Sequence, residues 1–170
     1  MKRSELRETI FRLLFMGQFE KSGEGKNEQI GDYLDEMRSG LIEVPYAKLA
    51  AEEETREESP AFVSAIDVSG EDEEYIRTKL AKITEALPEI DEQINKASRG
   101  WKTSRMPKVD LSIIRLAVYE MIHDEDVPTG VAINEAVEIA KHYGGEESAT
   151  FINGILGQIA RNCDQETKGE

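Results

Sequence analysis

One apolar series limits the fold more than any other feature of this chain. Ile76, Leu80, Ile83, Leu87, Ile90, Ile94 and Ala97 follow one another in steps of four and three. That spacing keeps one face of an α-helix apolar over several turns. It cannot line one face of a strand, where side chains alternate. A helix with such a seam needs other helices to cover it, and a seam this short reads as bundle core, not as a coiled-coil dimer. Ser69 and Asp72 stand where a capping box would open the helix. Pro88 lies inside the pattern. Having no N–H for the helical ladder, it should kink the helix or split it.

The rest of the chain carries the same period. Leu6, Ile10, Leu13, Leu14 and Gly17 mark a first helix, with Ser4 as its expected N-cap. Arg3, Arg7, Phe11, Phe15 and Gln18 form a second stripe beside that face. KSGEGKN (21–27) should end this helix, and a second is expected over 26–43 with Ile30, Leu34, Met37 and Leu41 on one side. Residues 44–68 include AAEEETREESP and read as an acidic connection that implies no site. SRGWKTSRMPK (98–108) reads as a loop, Asp110 as the cap of the helix LSIIRLAVYEMIH, and DEDVP as a turn. The segment VPTGVAINEAVEIAKHYGG (127–145) is apolar on most of its circumference, and Gly144 and Gly145 should end it. A last helix is expected from about Glu146, with Phe151, Ile152, Ile155, Leu156 and Ile159 on its apolar side. Asn153-Gly154 would suggest a hairpin in isolation. Helical periodicity continues through it, so it reads as a close packing point between helices. No stretch has a convincing strand pattern. The expected fold is all-α, with six or seven helices in a single domain over 1–170. Its N-terminal half would be 1–68, including the acidic connection 44–68, and its C-terminal half 69–163.

Composition excludes several function classes. The lone cysteine, Cys163, cannot form an internal disulfide, and no Cys/His cluster suggests a metal site. No run of about 18 apolar residues is present to span a membrane. The opening MKRSELRETIF lacks the apolar core of a signal peptide, so a cytoplasmic protein is expected. The formal net charge of −14 repels phosphates and favours a basic partner. Two basic islands interrupt the acidity: Lys2, Arg3, Arg7 and Arg12 near the N-terminus, and Arg99, Lys102, Arg105, Lys108 and Arg115 against Asp110 alone.

Catalysis needs a nucleophile, base or metal within reach of a partner, and no such constellation is readable. There is no phosphate-binding loop and no HExxH. Asn134 and Glu135 lie near the start of an apolar helix, and His123 and His142 lie at no recognisable spacing from them. Such edge residues ordinarily tie neighbouring backbone or a basic side chain, so the structural reading is preferred to the catalytic one. Arg115 interrupts Ile113, Ile114, Leu116, Ala117 and Val118. Either it pairs with a helix glutamate such as Glu135 or Glu138, or it emerges at a binding surface.

The stretch VDLSIIRLAVYEMIHDEDVPTGVAINEAVEIAKHYGGEESATFINGILGQIAR (109–161) closely resembles the C-terminal half of the NusB family of bacterial transcription antitermination factors. Trp101 and Arg105 fit the preceding segment, and SELRETIFRLLFMGQFE resembles the family's first helix. The resemblance is highly specific over 99–161, fair over 1–20 and weak over 44–70. It implies an all-helical fold of two small bundles and a role without catalysis, cofactor or metal. It implies pairing with NusE, a small-subunit ribosomal protein, and joint binding of boxA RNA in ribosomal RNA transcripts. It also implies assembly with other factors on RNA polymerase to suppress premature termination. RNA contacts carried over by the resemblance are Lys2, Arg3 and Arg7, then Arg115, then Glu147, Ser148 and Phe151. Partner contacts carried over are Phe15 and Asp110. Ser4 and Glu5 interrupt a basic run that is denser in many relatives. A runner-up is an RNA cytosine methyltransferase, in which the same helical fold occurs. That would require a downstream domain with a glycine-rich cofactor loop, and the chain ends at Glu170. A structural homodimer is the third alternative.

Overall fold

The computed structural model describes residues 1–18, 26–41 and 67–168, with side chains as far as 164. The acidic connection, apart from its last two residues, and most of KSGEGKN lie outside the described residues. Among those described, all regular structure is helical, as the periodicity predicts. The α-helices are α1 (Arg3–Gly17), α2 (Lys26–Arg38), α3 (Gly70–Ala97), α4 (Lys108–His123), α5 (Thr129–Tyr143) and α6 (Ser148–Lys168). A single 3-10 turn, Thr103–Arg105, lies between α3 and α4. The chain divides into two compact units, Met1–Ala81 and Lys82–Glu170. The division falls inside α3, later than the boundary expected at 68/69.

The expected seam is the buried face of α3. Ile76, Ile83, Ile90 and Ile94 are fully buried, Leu80 and Ala97 nearly so, and Leu87 is half-buried. The capping box is present and reciprocal: Ser69 N–H donates to Asp72 Oδ2 at 3.0 Å, and Asp72 N–H donates to Ser69 Oγ at 3.1 Å. Burial opposes the charge on Asp72. The two groups of Ser69 and the Met1 ammonium at 3.2 Å outweigh it and hold the carboxyl below its ordinary value. The helix is not split at Pro88, which is exposed and lies within the unbroken run.

In the first unit, Ile10, Phe11 and Leu13 of α1, Leu34 and Met37 of α2, and Ile76 and Leu80 of α3 are buried. Arg38 at the end of α2 reaches the start of α3. Its Nε donates to the Val68 carbonyl at 3.1 Å and its Nη2 to Glu73 at 3.2 Å. Helix α2 is shorter than expected. Gly40 takes φ +69°, its N–H donates to Met37 O, and Leu41 N–H donates to Glu36 O. This is a Schellman stop, which needs a left-handed residue and so favours glycine. Leu41 therefore falls beyond the helix and is 76 % exposed, not on its apolar side. Ser4 is likewise not the cap of α1. The helix starts at Arg3, and the buried Glu5 carboxylate accepts the Lys2 N–H at 2.8 Å.

In the second unit α4, α5 and α6 pack on one another. Helix α4 is buried nearly all round its first three turns. On α6 the buried face is Ile152, Ile155, Leu156 and Ile159. Asn153 and Gly154 are exposed, and a side chain added at Gly154 would meet open space, so the expected packing point is not there. They lie on the helix face opposite the core, where the small residue has no neighbour to approach.

Candidate nucleic-acid interface

The basic N-terminus belongs to the first unit. Lys2 and Arg3 are exposed. Arg7, one turn on, is only 8 % exposed and has partners in the fold. The stripe expected beside the apolar face of α1 is therefore not a surface stripe in this stretch, for Phe11 is 2 % exposed. A guanidinium that deep is held by what surrounds it, because unpaired burial of its charge would cost several kcal/mol. It is not an open cation. Phe15 is half-buried. Helix α1 also buries Glu5, Glu8 and Thr9; Glu8 faces Arg12 at 3.6 Å, and Thr9 Oγ1 donates to the Glu5 carbonyl.

In the second unit the turn between α5 and α6 is fixed from below. Asp110 lies in the first turn of α4, two residues inside the helix it was expected to cap, and is 5 % exposed. Its Oδ1 accepts the Ser148 hydroxyl at 2.8 Å. Ser148 Oγ in turn accepts the Gly145 N–H at 3.0 Å, and Ser148 is itself buried. The hydroxyl has one proton and gives it to Asp110, so it has no donor left for a ligand. Asp110 and Ser148 thus form an internal strut; the resemblance implies a partner contact at Asp110 and an RNA contact at Ser148. The strut holds the start of α6; Glu147, just before it, is exposed, and Phe151, in its first turn, is half-buried. Phe151 meets Trp101 edge to face, with ring centroids 6.3 Å apart and planes at 66°.

Gly144 closes α5 with φ −89°, an extended conformation open to any residue. Glycine is needed there for space. A Cβ would stand 2.5 Å from Ser148 Cβ and 2.8 Å from the Ala140 carbonyl oxygen. The expected helix stop is present, but crowding explains it and positive φ does not.

Arg115 is paired, but with neither of the expected glutamates. Its Nε donates to Asp91 Oδ1 at 2.9 Å and its Nη2 to Asp91 Oδ2 at 2.8 Å, a two-pronged pair with the guanidinium side chain 18 % exposed. The partner is an aspartate on α3, not Glu135 or Glu138 on α5. The available signal was an acid next to the seam residue Ile90, on the half-buried flank of its helix. Asn134 is exposed, and Glu135 is half-buried with a partner in the fold. His123 lies 3.0 Å from Glu89. Among the described residues no group of three His, Cys, Asp or Glu could hold a metal, and no helix is long and apolar enough to cross a membrane.

Comparison with known proteins gives a consistent result. The sequence model of the NusB family matches residues 4–161. The transcription antitermination protein NusB of Lachnoclostridium phytofermentans is 40 % identical over 159 residues, covering 94 % of this chain and 98 % of its own. Among solved structures, T. maritima NusB superposes with a TM-score of 0.67 at 29 % identity, over 95 % of this chain and 92 % of that one. A structure of the antitermination factors NusB and NusE in complex with dsRNA superposes at 0.61. It is 22 % identical, covers 94 % and 96 % of the two chains, and shows the shared fold. An all-α chain whose family match runs from the first helix into the last belongs to the NusB family of transcription antitermination proteins.

Proposed function

We propose that this chain is a non-catalytic, cytoplasmic, RNA-binding antitermination factor. It pairs with NusE, and the two together bind boxA RNA of ribosomal RNA transcripts within the antitermination complex on RNA polymerase. The observation that carries this reading is the family match across residues 4–161, which includes the first helix and the α5–α6 turn. Three features support it. Lys2 and Arg3 are open cations, Phe151 offers part of an aromatic ring on a braced turn, and Glu147 stands exposed beside it. Phosphates are met by cations, while unstacked bases are met by aromatic faces and by acceptors for their amino groups. In the first unit Arg7 supports α1 from its buried side, and in the second Asp110 and Ser148 support the α5–α6 turn. The overall charge of −14 suits a basic ribosomal protein as partner.

The test is a titration of boxA RNA with and without NusE at several salt concentrations. Each phosphate neutralised on a single strand adds about −0.7 to the slope of log affinity against log salt. With Lys2 and Arg3 as the open contacts, this chain should contribute about −1.4 to the slope. Lys2→Ala should remove about half of that share. The isolated chain should bind weakly and NusE should strengthen binding. An affinity in the complex that ignores salt, or survives loss of both cations, would overturn the assignment.

A further inference from the structure

The loop between α3 and α4 carries a large, exposed aromatic side chain. Trp101, the only tryptophan of the chain, is 56 % exposed. Leaving so much indole in water forfeits a large apolar burial, and an exposed aromatic on a rigid frame ordinarily has a partner. The backbone that carries the indole is tied by hydrogen bonds. Trp101 N–H donates to the Ser98 carbonyl at 3.3 Å, and the Ser98 hydroxyl donates to the Trp101 carbonyl, so both backbone groups of the tryptophan are tied to one residue. Two residues on, Thr103 N–H donates to Asn95 Oδ1 at 3.0 Å, which anchors the loop back onto α3.

Along the loop that carries the indole the charge has one sign. Residues 98–109 contain Arg99, Lys102, Arg105 and Lys108 and no acidic residue, in a chain of net charge −14. Arg99, Lys102 and Arg105 are exposed, and among the described residues no hydrogen bond or ion pair ties their side chains. Among the described residues these cations have no ionic partner, unlike Arg115 or Arg38. One edge-to-face contact joins the indole to Phe151, the aromatic ring already assigned to RNA.

We infer that Trp101 is a second base-stacking platform, adjacent to Phe151, and that Arg99, Lys102 and Arg105 neutralise the phosphates of the nucleotides that reach it. The ligand is single-stranded RNA continuous with the strand at Phe151. The inference deepens the RNA-binding reading above and rests on it. An aromatic face accepts any base, so the platform should lengthen the bound strand without adding sequence preference.

A protein labelled with 5-fluorotryptophan has one fluorine resonance, because there is one tryptophan. NusE is added first, then boxA RNA. The resonance should move on RNA addition. Trp101→Ala should weaken RNA binding in the NusE complex about tenfold, while Trp101→Phe should keep most of the affinity. Abasic substitution along the RNA should reveal one position, next to the nucleotide whose loss matches Phe151→Ala, at which removing the base no longer matters once Trp101 is alanine. That non-additivity reports contact, and a merely structural tryptophan would not produce it. If the resonance moves with NusE and stays fixed with RNA, the loop is a protein contact and the inference fails. If the wild-type complex binds boxA RNA but Trp101→Ala, folded by circular dichroism, binds it equally well, the platform fails and the RNA reading stands. If the wild-type complex does not bind boxA RNA at all, both fail.

Discussion

Helices α1 and α6 solve the same problem in opposite ways. Each must bury one side. Helix α6 does so with Ile152, Ile155, Leu156 and Ile159 and leaves Asn153, Gly154 and Arg161 outside. Helix α1 buries Ile10, Phe11 and Leu13, but also Glu5, Arg7, Glu8 and Thr9. From Ile152 onward in α6, chemistry and burial coincide, so the residue types there report the inward face. In α1 they diverge, and a charged residue at helical spacing from other charges looks like surface although it is interior. Polar burial is tolerated only where partners meet it, and partners are a property of the folded chain, not of the local sequence.

The largest expected effect tests that contrast directly. Glu8 is 3 % exposed and faces Arg12 at 3.6 Å. If the buried charges of α1 are integral to its packing, Glu8→Ala should cost about 3 kcal/mol, comparable to truncating a buried leucine. Thermal or urea unfolding of the variant measures it. A cost near zero would mean that α1 tolerates loss of its interior charge, and the contrast with α6 would collapse.

A smaller effect sharpens the role of the strut in the second unit. Ser148→Ala leaves the buried Asp110 carboxylate without its hydroxyl donor, at a cost of about 1–3 kcal/mol in unfolding free energy. If Ser148 acts from beneath, RNA affinity in the NusE complex should fall only to the extent that the α5–α6 turn loosens. Titration well below the melting temperature separates the two effects. A variant of normal stability that has lost RNA binding would make the hydroxyl a direct contact.

The smallest effect belongs to Asn134. Its neighbourhood in an apolar helix suggests a buried hydrogen bond, yet the residue is exposed. Asn134→Ala should change stability by no more than about 0.5 kcal/mol. A larger loss in a calorimetric melt would restore a scaffold role.

What the sequence discloses follows from range. The seam of α3 and the Ser69–Asp72 box are local patterns, separated by three or four residues, and both are in the structure as read. The division at Ala81–Lys82 inside α3 is not marked by any change in the seam, so it was invisible. The family resemblance located the α5–α6 turn, but residue type could not say that Ser148 and Asp110 face each other. They are 38 positions apart. Sequence leaves Arg115 open between a helix partner and a binding surface, and Asp91, 24 positions earlier on another helix, cannot be chosen from it over the nearer glutamates. Short-range chemistry is legible in the seam and the Ser69–Asp72 box, less so at the ends of α1, α2 and α4, and long-range pairing is not.

Gly144 has a mechanical consequence. The clearance between it and Ser148 is too small for a methyl group, so any substituent at 144 acts as a wedge driven under the origin of α6. A 21-residue helix is a lever about 30 Å long. A tilt of about 4° at its base swings the far end by about 2 Å. The same wedge would push Ser148 away from Asp110. One missing carbon atom therefore sets the aim of the entire last helix, and Gly144→Ala should be felt far from residue 144.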